Sequence, residues 1–254
     1  MLRERATEPE HFDDPARTPA ELADAYRQLA RVNRVFRLDD PYTRILARWL
    51  GHDQCARLSI LDLGAGDGWL GAQMEAWARR EFGWEWRVTN LDLNSVSLQL
   101  NASPRNVVGS VLALPFQDEC FDLVIASQMT HHLADEAAVV QHFREAWRVA
   151  RRGAFITDMK RSAFFYAMLW MAVRVLGLSP EMRADGLLSI KRSWKQCELE
   201  SLVMRAGLNG AKVTSYFGTR LIVAARKPSA TLDASGTSAA YPAADESCSA
   251  PRGR

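Results

Sequence analysis

The chain has 254 residues and a formal net charge of +2, and 48% of its residues are hydrophobic against 24% charged. This composition fits a globular protein with one good-sized domain, and the mild charge argues against a nucleic-acid partner. The longest apolar run, 163–173, is shorter than the about 20 residues of a spanning helix, so no stable membrane insertion is expected. The four cysteines are scattered, which predicts neither a disulfide framework nor a zinc site, and a reducing cytoplasm is the expected location.

The N-terminal part of the chain shows helical patterns and no glycine-rich turn. Residues 1–18 are polar with two prolines, and we expect them to be flexible. From Pro19 onward apolar residues recur at three and four positions, which predicts a helix. A second, short helix is predicted for residues 41–50. We expect residues 19–56 to form an N-terminal helical cap.

Predicted strands and helices then alternate. The predicted strands are 57–63, 86–93, 106–109, 121–127 and 154–159, followed by a final pair at 213–217 and 220–225. The first five are apolar throughout rather than alternating in polarity, which is typical of a parallel sheet covered on both faces. The sequence therefore predicts a doubly wound α/β fold with a mostly parallel, seven-stranded sheet, within a domain spanning 57–227.

The alternation is interrupted after the fifth predicted strand. Residues 160–178 are strongly apolar, and 180–193 follow with Asp185-Gly186 as a predicted turn. We expect 160–193 to form an inserted helical lid. The aromatic and methionine side chains of the lid either line a substrate pocket or belong to the core, and a membrane-surface role is the weaker alternative. Residues 228–254, rich in Ala, Ser, Thr, Gly and Pro, are expected to be a disordered tail.

The first predicted strand ends in a glycine-rich turn, Asp62-Leu63-Gly64-Ala65-Gly66-Asp67-Gly68. Glycine lets a ligand approach the main chain, and the N–H groups of the following helix would point at that ligand. The dinucleotide-binding pattern G-x-G-x-x-G is matched only by Gly66, Gly68 and Gly71. This match begins two residues too far along the chain for close contact between the turn and a pyrophosphate. A nicotinamide or flavin site is therefore the weaker hypothesis.

Asp92 lies at the end of the second predicted strand, 86–93. Because neighbouring parallel strands end side by side, its carboxylate should lie beside the glycine-rich turn, where it can accept both hydroxyls of a ribose. The alternative is a loop aspartate that caps the helix beginning at Asn94-Ser95. The presence of the glycine-rich turn favours the ribose role.

Taken together, these motifs and three later segments resemble a known family. The segments are Asp62–Gly68, Asp92, Leu114-Pro115-Phe116, Phe121-Asp122-Leu123-Val124 and His131-His132-Leu133. In order and spacing they are similar to the class I S-adenosylmethionine-dependent methyltransferases, over about residues 58–225. A looser likeness, in 33–36, 158–161 and 185–193, is to a bacterial group linked to phenolic, polyketide-derived and quinone acceptors.

The resemblance implies roles toward S-adenosylmethionine. The residues that would line its methionine and ribose parts are Asp62, Gly64, Ala65, Gly66, Asp67 and Gly68. Asp92 would hold the ribose hydroxyls, and Leu93 would lie against the adenine. Ser110 and Val111 would meet the adenine edge. The carbonyl of Ser127 would accept a hydrogen bond from the methionine amine.

The two histidines that follow the fourth predicted strand are the candidate catalytic residues. Either His131 or His132 could take a proton from a substrate hydroxyl, or one could cap the next helix while the other packs. The residues assigned to the substrate pocket are Asp158, Arg161, Phe165 and Arg192, for which solvation or core packing is the alternative. No metal site is assigned.

The sequence thus predicts a methyltransferase that acts on a small, apolar or aromatic acceptor. O-methylation of a phenolic, polyketide-derived or quinone-like metabolite is the first hypothesis, and C-methylation of a similar acceptor is the second. A methyltransferase-like binding or assembly factor without catalysis is the alternative of a different class. The sequence predicts no oligomeric state.

Overall fold

The structure is a computed structural model that describes residues 2–14, 16–51, 56–101 and 103–228. One sheet has the strand order β3-β2-β1-β4-β5-β7-β6. The strands are β1 Arg57–Leu63, β2 Glu85–Asp92, β3 Asn106–Val108, β4 Phe121–Ser127, β5 Ala150–Met159, β6 Lys212–Tyr216 and β7 Arg220–Arg226. Strands β1 to β5 are parallel, and β7 is antiparallel to both of its neighbours. The predicted mostly parallel, seven-stranded α/β fold is confirmed.

Helices lie before, between and after the strands. They are α1 Pro19–Val35, a π-helical turn Pro41–Leu46 that continues as α2 Ala47–Leu50, α3 Trp69–Phe82, α4 Ser95–Gln99, α5 Glu136–Val149, α6 Ala163–Val175, α7 Pro180–Arg192 and α8 Gln196–Arg205. Thr18 is the N-cap of α1: its side chain accepts from the Glu21 N–H while the Glu21 carboxylate accepts from the Thr18 N–H. This reciprocal capping and Pro19 at the first helical position explain where the helix starts.

Both faces of the sheet are buried. Phe143 of α5 and Leu202 of α8 pack in one core cluster, and Met74 of α3 packs with Tyr42 in a second cluster on the other side. This burial explains why the parallel strands are apolar on both sides. It leaves the carboxyl ends of β1, β2, β4 and β5 as the edge where polar side chains meet.

The lid is a pair of helices with a core of its own. Phe165 of α6 and Ile190 of α7 pack with Ala25 of α1 in a third apolar cluster. The predicted turn at Asp185-Gly186 is wrong, because α7 runs through it without interruption. The Asp185 side chain accepts from the backbone N–H groups of His11 and Phe12 at 2.8 and 3.0 Å, so its polarity serves a tertiary contact instead of a turn.

The N-terminal segment, residues 2–14, has fixed partners on the lid, whereas the sequence predicted a flexible terminus. The Ala6 N–H donates to the Lys191 carbonyl at 3.0 Å. The Arg5 guanidinium donates to the carbonyls of His131 and Leu133 at 2.8 and 2.6 Å. These partners lie more than a hundred positions away, which local sequence patterns do not reveal. The predicted disordered tail, apart from residue 228, lies outside the described residues.

Two expectations from composition also bear on the fold. Among the described residues, no helix is long and apolar enough to cross a membrane. Cys120, next to the start of β4, is disulfide-bonded, which the scattered spacing of the cysteines did not predict. Cys197 is free and exposed.

Candidate active site

The glycine-rich turn lies at the carboxyl edge of the sheet, between β1 and α3. Gly64, Gly66 and Gly68 have φ values of +67°, +56° and +70°. Side chains disfavour this left-handed region, which explains why three alternate positions are glycine. The Gly64 N–H donates to the Leu91 carbonyl at 2.8 Å, and this bond ties the turn to the end of β2.

Two of these glycines also lie close to neighbouring side chains. A Cβ on Gly64 would be 2.2 Å from Cγ of Met129, and a Cβ on Gly66 would be 2.8 Å from the ring of Tyr26. The Tyr26 hydroxyl, reaching across from α1, donates to Oγ of Ser97 at 3.0 Å. Burial raises the pKa of Tyr26 to about 12, so the phenol is a neutral donor. Sequence reasoning missed Tyr26, because nothing local to α1 shows that it covers the turn.

Asp62 is a buried carboxylate without a hydrogen-bond donor. It is 2% exposed, and none of the described residues donates to it. Burial, and secondly the charge of Asp92, raise the pKa of Asp62 to about 8. Such a group favours a cation beside it, because the cation would compensate the charge of the ionised form.

Asp92 faces the glycine-rich turn, as the strand order predicts. Its Oδ2 accepts from the Gly66 N–H and its Oδ1 from the Asn94 N–H, both at 2.8 Å. The cap of α4 is Asn94, whose side chain accepts from the N–H groups of Val96 and Ser97. The cap of this helix is therefore Asn94 and not Asp92. The Asp92 carboxylate lies beside the glycine-rich turn.

The other predicted cofactor residues also lie at or just beyond strand ends. Leu93 is 73% exposed, so its apolar side chain is open to a ligand. Oγ of Ser110 accepts from the Leu112 N–H at 3.2 Å, and Val111 packs on the core. Ala65 and Asp67 belong to the glycine-rich turn, where the Asp67 carboxylate accepts from the Trp69 N–H at 3.2 Å.

Ser127 ends β4 beside Thr157 of β5. The fully buried Tyr42 reaches this point from the N-terminal helical cap. Its hydroxyl donates to the Ala126 carbonyl at 2.6 Å and lies 2.9 Å from Oγ1 of Thr157. Tyr42 thus fixes the strand ends next to Ser127, a role that no local sequence signal indicates.

His131 is buried and tied to β5. Its backbone N–H donates to Oδ2 of Asp158 at 2.8 Å, and its Nδ1 lies 2.6 Å from Oδ1 of the same carboxylate. The side chain is 1% exposed, and its Nε2 lies 3.7 Å from Oε1 of Glu10. Asp158, predicted for the substrate pocket, is itself 2% exposed and holds the turn that carries both histidines.

His132 is the open member of the pair. Its side chain is 35% exposed, and its Nδ1 lies 2.9 Å from Oδ1 of Asp13. Burial opposes ionisation of Asp13, but hydrogen bonds with His132 and Arg192 hold the pKa of that carboxyl below its usual range. With Nδ1 at the carboxylate, Nε2 is the His132 nitrogen left for a ligand.

The remaining predicted pocket residues have other partners. Arg192 donates to Oδ2 of Asp13 at 2.6 Å and to the His132 carbonyl at 3.2 Å, so it belongs to the histidine cluster. Arg161 donates to the Ser193 carbonyl at 3.1 Å and to Glu198 at 2.5 Å, which links the lid to α8. Phe165 lies in the lid core. The structure therefore brings Asp158 and Arg192 to the histidines, and uses Arg161 and Phe165 elsewhere.

Glu10 is a further polar residue at this end of the site that sequence reasoning missed. Its Oε1 accepts from Oγ of Ser189 at 2.8 Å, and burial raises its pKa. Glu10, His131 and His132 place ligand-type atoms within 4.8 Å of one another. No local sequence signal in the N-terminal segment marks Glu10 as part of this cluster.

Asp62, the glycine-rich turn and Asp92 form one end of the candidate site, the cofactor end, which fits an adenosine joined to an amino acid. The unpartnered Asp62 carboxylate suits the cationic amino acid part, and Asp92 suits the hydroxyls of a ribose. The glycine-rich turn lies between them, with the Tyr26 ring next to Gly66. These features match S-adenosylmethionine better than a pyrophosphate, because the Asp92 carboxylate would repel phosphate groups.

Comparison with known sequences points the same way. Residues 61–157 match a family described as "Methyltransferase domain". A demethylmenaquinone methyltransferase of Roseiflexus castenholzii is 33% identical over 87 residues, which cover 30% of this chain and 35% of that protein. This relative is therefore matched over much less than its full length.

Solved structures share the fold. A SAM dependent methyltransferase from Aquifex aeolicus aligns with a TM-score of 0.51 and 15% identity, over 83% of this chain and 98% of that one. Human N-acetylserotonin methyltransferase in complex with SAM aligns with a TM-score of 0.55 and 13% identity, over 83% of this chain and 56% of that one. The matched segment 61–157 contains the glycine-rich turn, Asp92 and both histidines. Over residues 61–157 the chain therefore carries a methyltransferase domain of the S-adenosylmethionine-dependent type, whose methyl donor is S-adenosylmethionine.

Proposed function

We propose that this protein methylates a hydroxyl oxygen of a small, apolar or aromatic acceptor with a phenolic, polyketide-derived or quinone-like ring. The observation that carries the proposal is the pair formed by His132 and Asp13. The imidazole is open to solvent, is held at Nδ1 by a carboxylate and lies after β4, at the sheet edge that also carries Asp62 and Asp92. A nitrogen base oriented in this way suits an acceptor that arrives with its proton.

S-adenosylmethionine, when bound, supplies an electrophilic methyl carbon. The protein's contribution is then mainly alignment, which is worth roughly 7–11 kcal/mol in well-oriented reactions. Asp62, the glycine-rich turn and Asp92 would hold the donor. Nε2 of His132 would take the proton of the acceptor hydroxyl while Asp13 fixes the tautomer. A phenol, with a pKa of about 10, needs such help at neutral pH.

The buried His131 is the other candidate base from the sequence. Because both its Nδ1 and its backbone N–H are engaged by Asp158, we assign it the role of holding the turn that carries His132. The open histidine is the better proton acceptor for a bound substrate, since the acceptor can reach it.

C-methylation is the second candidate function. It is favoured by the names of the matched relatives, which are demethylmenaquinone methyltransferases. The same base would serve this reaction, because removal of a ring hydroxyl proton shares the negative charge between the oxygen and the ring carbons.

The test is a methyl-transfer assay with a naphthohydroquinone, resorcinol and catechol, read by mass spectrometry as the gain of one methyl. We expect His132→Ala to lower turnover at pH 7 by about 10²–10⁴-fold. The loss should shrink at pH 10, where a phenol ionises unaided. His11→Ala, in the same N-terminal segment, is the matched control and should retain turnover.

Three outcomes would contradict the proposal. Unchanged turnover of His132→Ala at pH 7 would remove the base role. A methyl found on a ring carbon would favour C-methylation. Cofactor binding by calorimetry without product from any acceptor would favour the non-catalytic binding factor.

A further inference from the structure

Helix α6 exposes an apolar face. The exposed fractions are 65% for Phe164, 45% for Trp170, 59% for Met171 and 87% for Val175. The opposite face of the same helix packs into the lid core through Phe165, Leu169 and Val173. An ordinary surface helix places polar residues on its outer face, so α6 departs from the usual pattern on the side that faces away from the lid core.

The turn between β6 and β7 extends this surface. Phe217 is 79% exposed although its φ is +47°, a backbone region that bulky residues rarely adopt. A Cβ on Gly218 would be 3.9 Å from Cδ1 of Phe164, so the turn adjoins α6. A strained and exposed phenylalanine gains little from folding, which points to a use outside the fold. We call Phe164, Trp170, Met171, Val175 and Phe217 the α6 patch.

The segment that carries helix α6 has charges of one sign. No Asp or Glu occurs in the segment 159–180, which carries Lys160, Arg161 and Arg174. Arg161 is buried and paired with Glu198. The Arg174 guanidinium lies 3.3 Å from the centre of the Trp170 ring, at the patch itself. Lys160 donates to Oγ of Ser215 at 3.2 Å, on the strand that leads into the β6–β7 turn.

An aromatic helix face whose own segment carries cations and no acids complements the interface of an anionic bilayer. Apolar rings can enter the boundary of the acyl chains while Lys and Arg meet the headgroups, and Trp is suited to this boundary by its amphipathic ring. A second copy of the chain fits less well. In a twofold contact the patch would meet itself, and the cations of both copies would face each other without acids from this segment.

We propose that the α6 patch docks the protein peripherally onto an anionic bilayer surface. The binding is interfacial, since no helix among the described residues could span the membrane. It leaves the lid core intact, because the patch and the core lie on opposite faces of α6. Binding to the bilayer does not depend on the proposed function. If the proposed function holds as well, an apolar acceptor would enter the site from the membrane side, and only this consequence rests on the proposed function.

The experiment is sedimentation of the protein with phosphatidylcholine vesicles, with and without added phosphatidylglycerol. We expect at least about tenfold stronger binding to the anionic vesicles, because two cations near the surface contribute about 1 kcal/mol each. The double variant Phe164→Ser/Phe217→Ser should bind at least about tenfold more weakly, since two large apolar side chains are lost. The matched control Met204→Ser removes an apolar residue that is 71% exposed on α8 and should bind like wild type.

Arg174→Glu should reduce the preference for anionic vesicles while sparing the weak binding to neutral ones. All changed side chains are exposed, and melting curves check that the variants fold. Equal vesicle binding by wild type and the double variant would overturn the proposal. The proposal would also be overturned if wild type does not bind vesicles and light scattering shows a dimer for wild type but a monomer for the double variant. The patch would then contact a second copy of the chain.

Discussion

The proposed cofactor end of the site, at Asp62 and Asp92, and the proposed acceptor end, at His131 and His132, are built in different ways. The cofactor end comes from two neighbouring strands in register, where Leu63 of β1 pairs with Leu91 of β2, and from the turns that follow them. The acceptor end is assembled from distant parts of the chain. Arg192 and Asp13 are separated by 179 positions, and His131 and Asp158 by 27.

The two ends differ in what holds their side chains in place. Backbone conformation fixes the cofactor end, since left-handed glycines and strand ends place the two carboxylates. Side-chain hydrogen bonds between separate segments fix the acceptor end, so single polar side chains hold it together. We therefore expect the cofactor end to fail when the backbone is changed, and the acceptor end to loosen when one side chain is changed.

The largest effect is expected at the glycine-rich turn. Gly64→Ala should cost about 2–5 kcal/mol of unfolding free energy, because a left-handed alanine costs about 1–2 kcal/mol and overpacking adds about 1–3 kcal/mol. The new Cβ would lie 2.2 Å from Cγ and 2.9 Å from Cβ of Met129. Urea unfolding measures the loss, and calorimetry should show that cofactor binding is lost.

Gly83→Ala is the matched control for this change. Gly83 has a φ of +68°, nearly that of Gly64, but nothing lies within 4 Å of its added Cβ. Gly83→Ala should lower the unfolding free energy only by the cost of a left-handed alanine, about 1–2 kcal/mol. Equal losses in the two variants would show that the turn is not tightly packed.

The second effect concerns Asp92. Asp92→Ala should weaken binding of S-adenosylmethionine by about 100-fold, because hydrogen bonds to a charged group contribute about 1.5–3 kcal/mol. Asp118→Ala removes an exposed carboxylate that pairs with Arg148 and should leave the affinity unchanged. Calorimetric titration measures both variants. An unaltered affinity of Asp92→Ala would remove the ribose role.

A smaller effect is expected at the acceptor end. Asp185→Asn should lower the unfolding free energy by about 1–2 kcal/mol, because two N–H groups of the N-terminal segment lose a charged acceptor. The segment should then be cut faster by trypsin at Arg5, while cofactor affinity stays constant. Asp24→Asn, an exposed change on α1, is the control. Unchanged proteolysis would show that Asp185 does not hold the segment.

The sequence was informative where geometry is local. The glycine-rich turn, Asp92 and the strands that carry them could be predicted, because apolar runs and glycine positions encode strand ends and turns directly. Glu10, Tyr26 and Tyr42 could not, since each acts through a partner far along the chain. Asp185-Gly186 misled for the same reason: its turn-like composition serves a tertiary contact within a continuous helix.

The pKa of Asp62 gives the cofactor end a dependence on pH. Its folded pKa of about 8 lies above the unfolded value, so the folded protein binds the extra proton and loses stability as pH rises from about 4 to about 8. Asp62→Asn stays neutral and should therefore exceed wild type in unfolding free energy by about 1–2 kcal/mol at pH 8. It should bind the cofactor more weakly, because the compensating charge is lost.

The most direct measurement is calorimetric titration of S-adenosylmethionine at pH 7 in phosphate and in Tris, whose ionisation heats differ. A cation bound beside Asp62 should draw the carboxyl into its ionised form. Wild type should thus release close to one proton on binding, and Asp62→Asn should release none. Identical heats of wild type in both buffers, or equal proton release by the two proteins, would contradict the placement of the cofactor at Asp62.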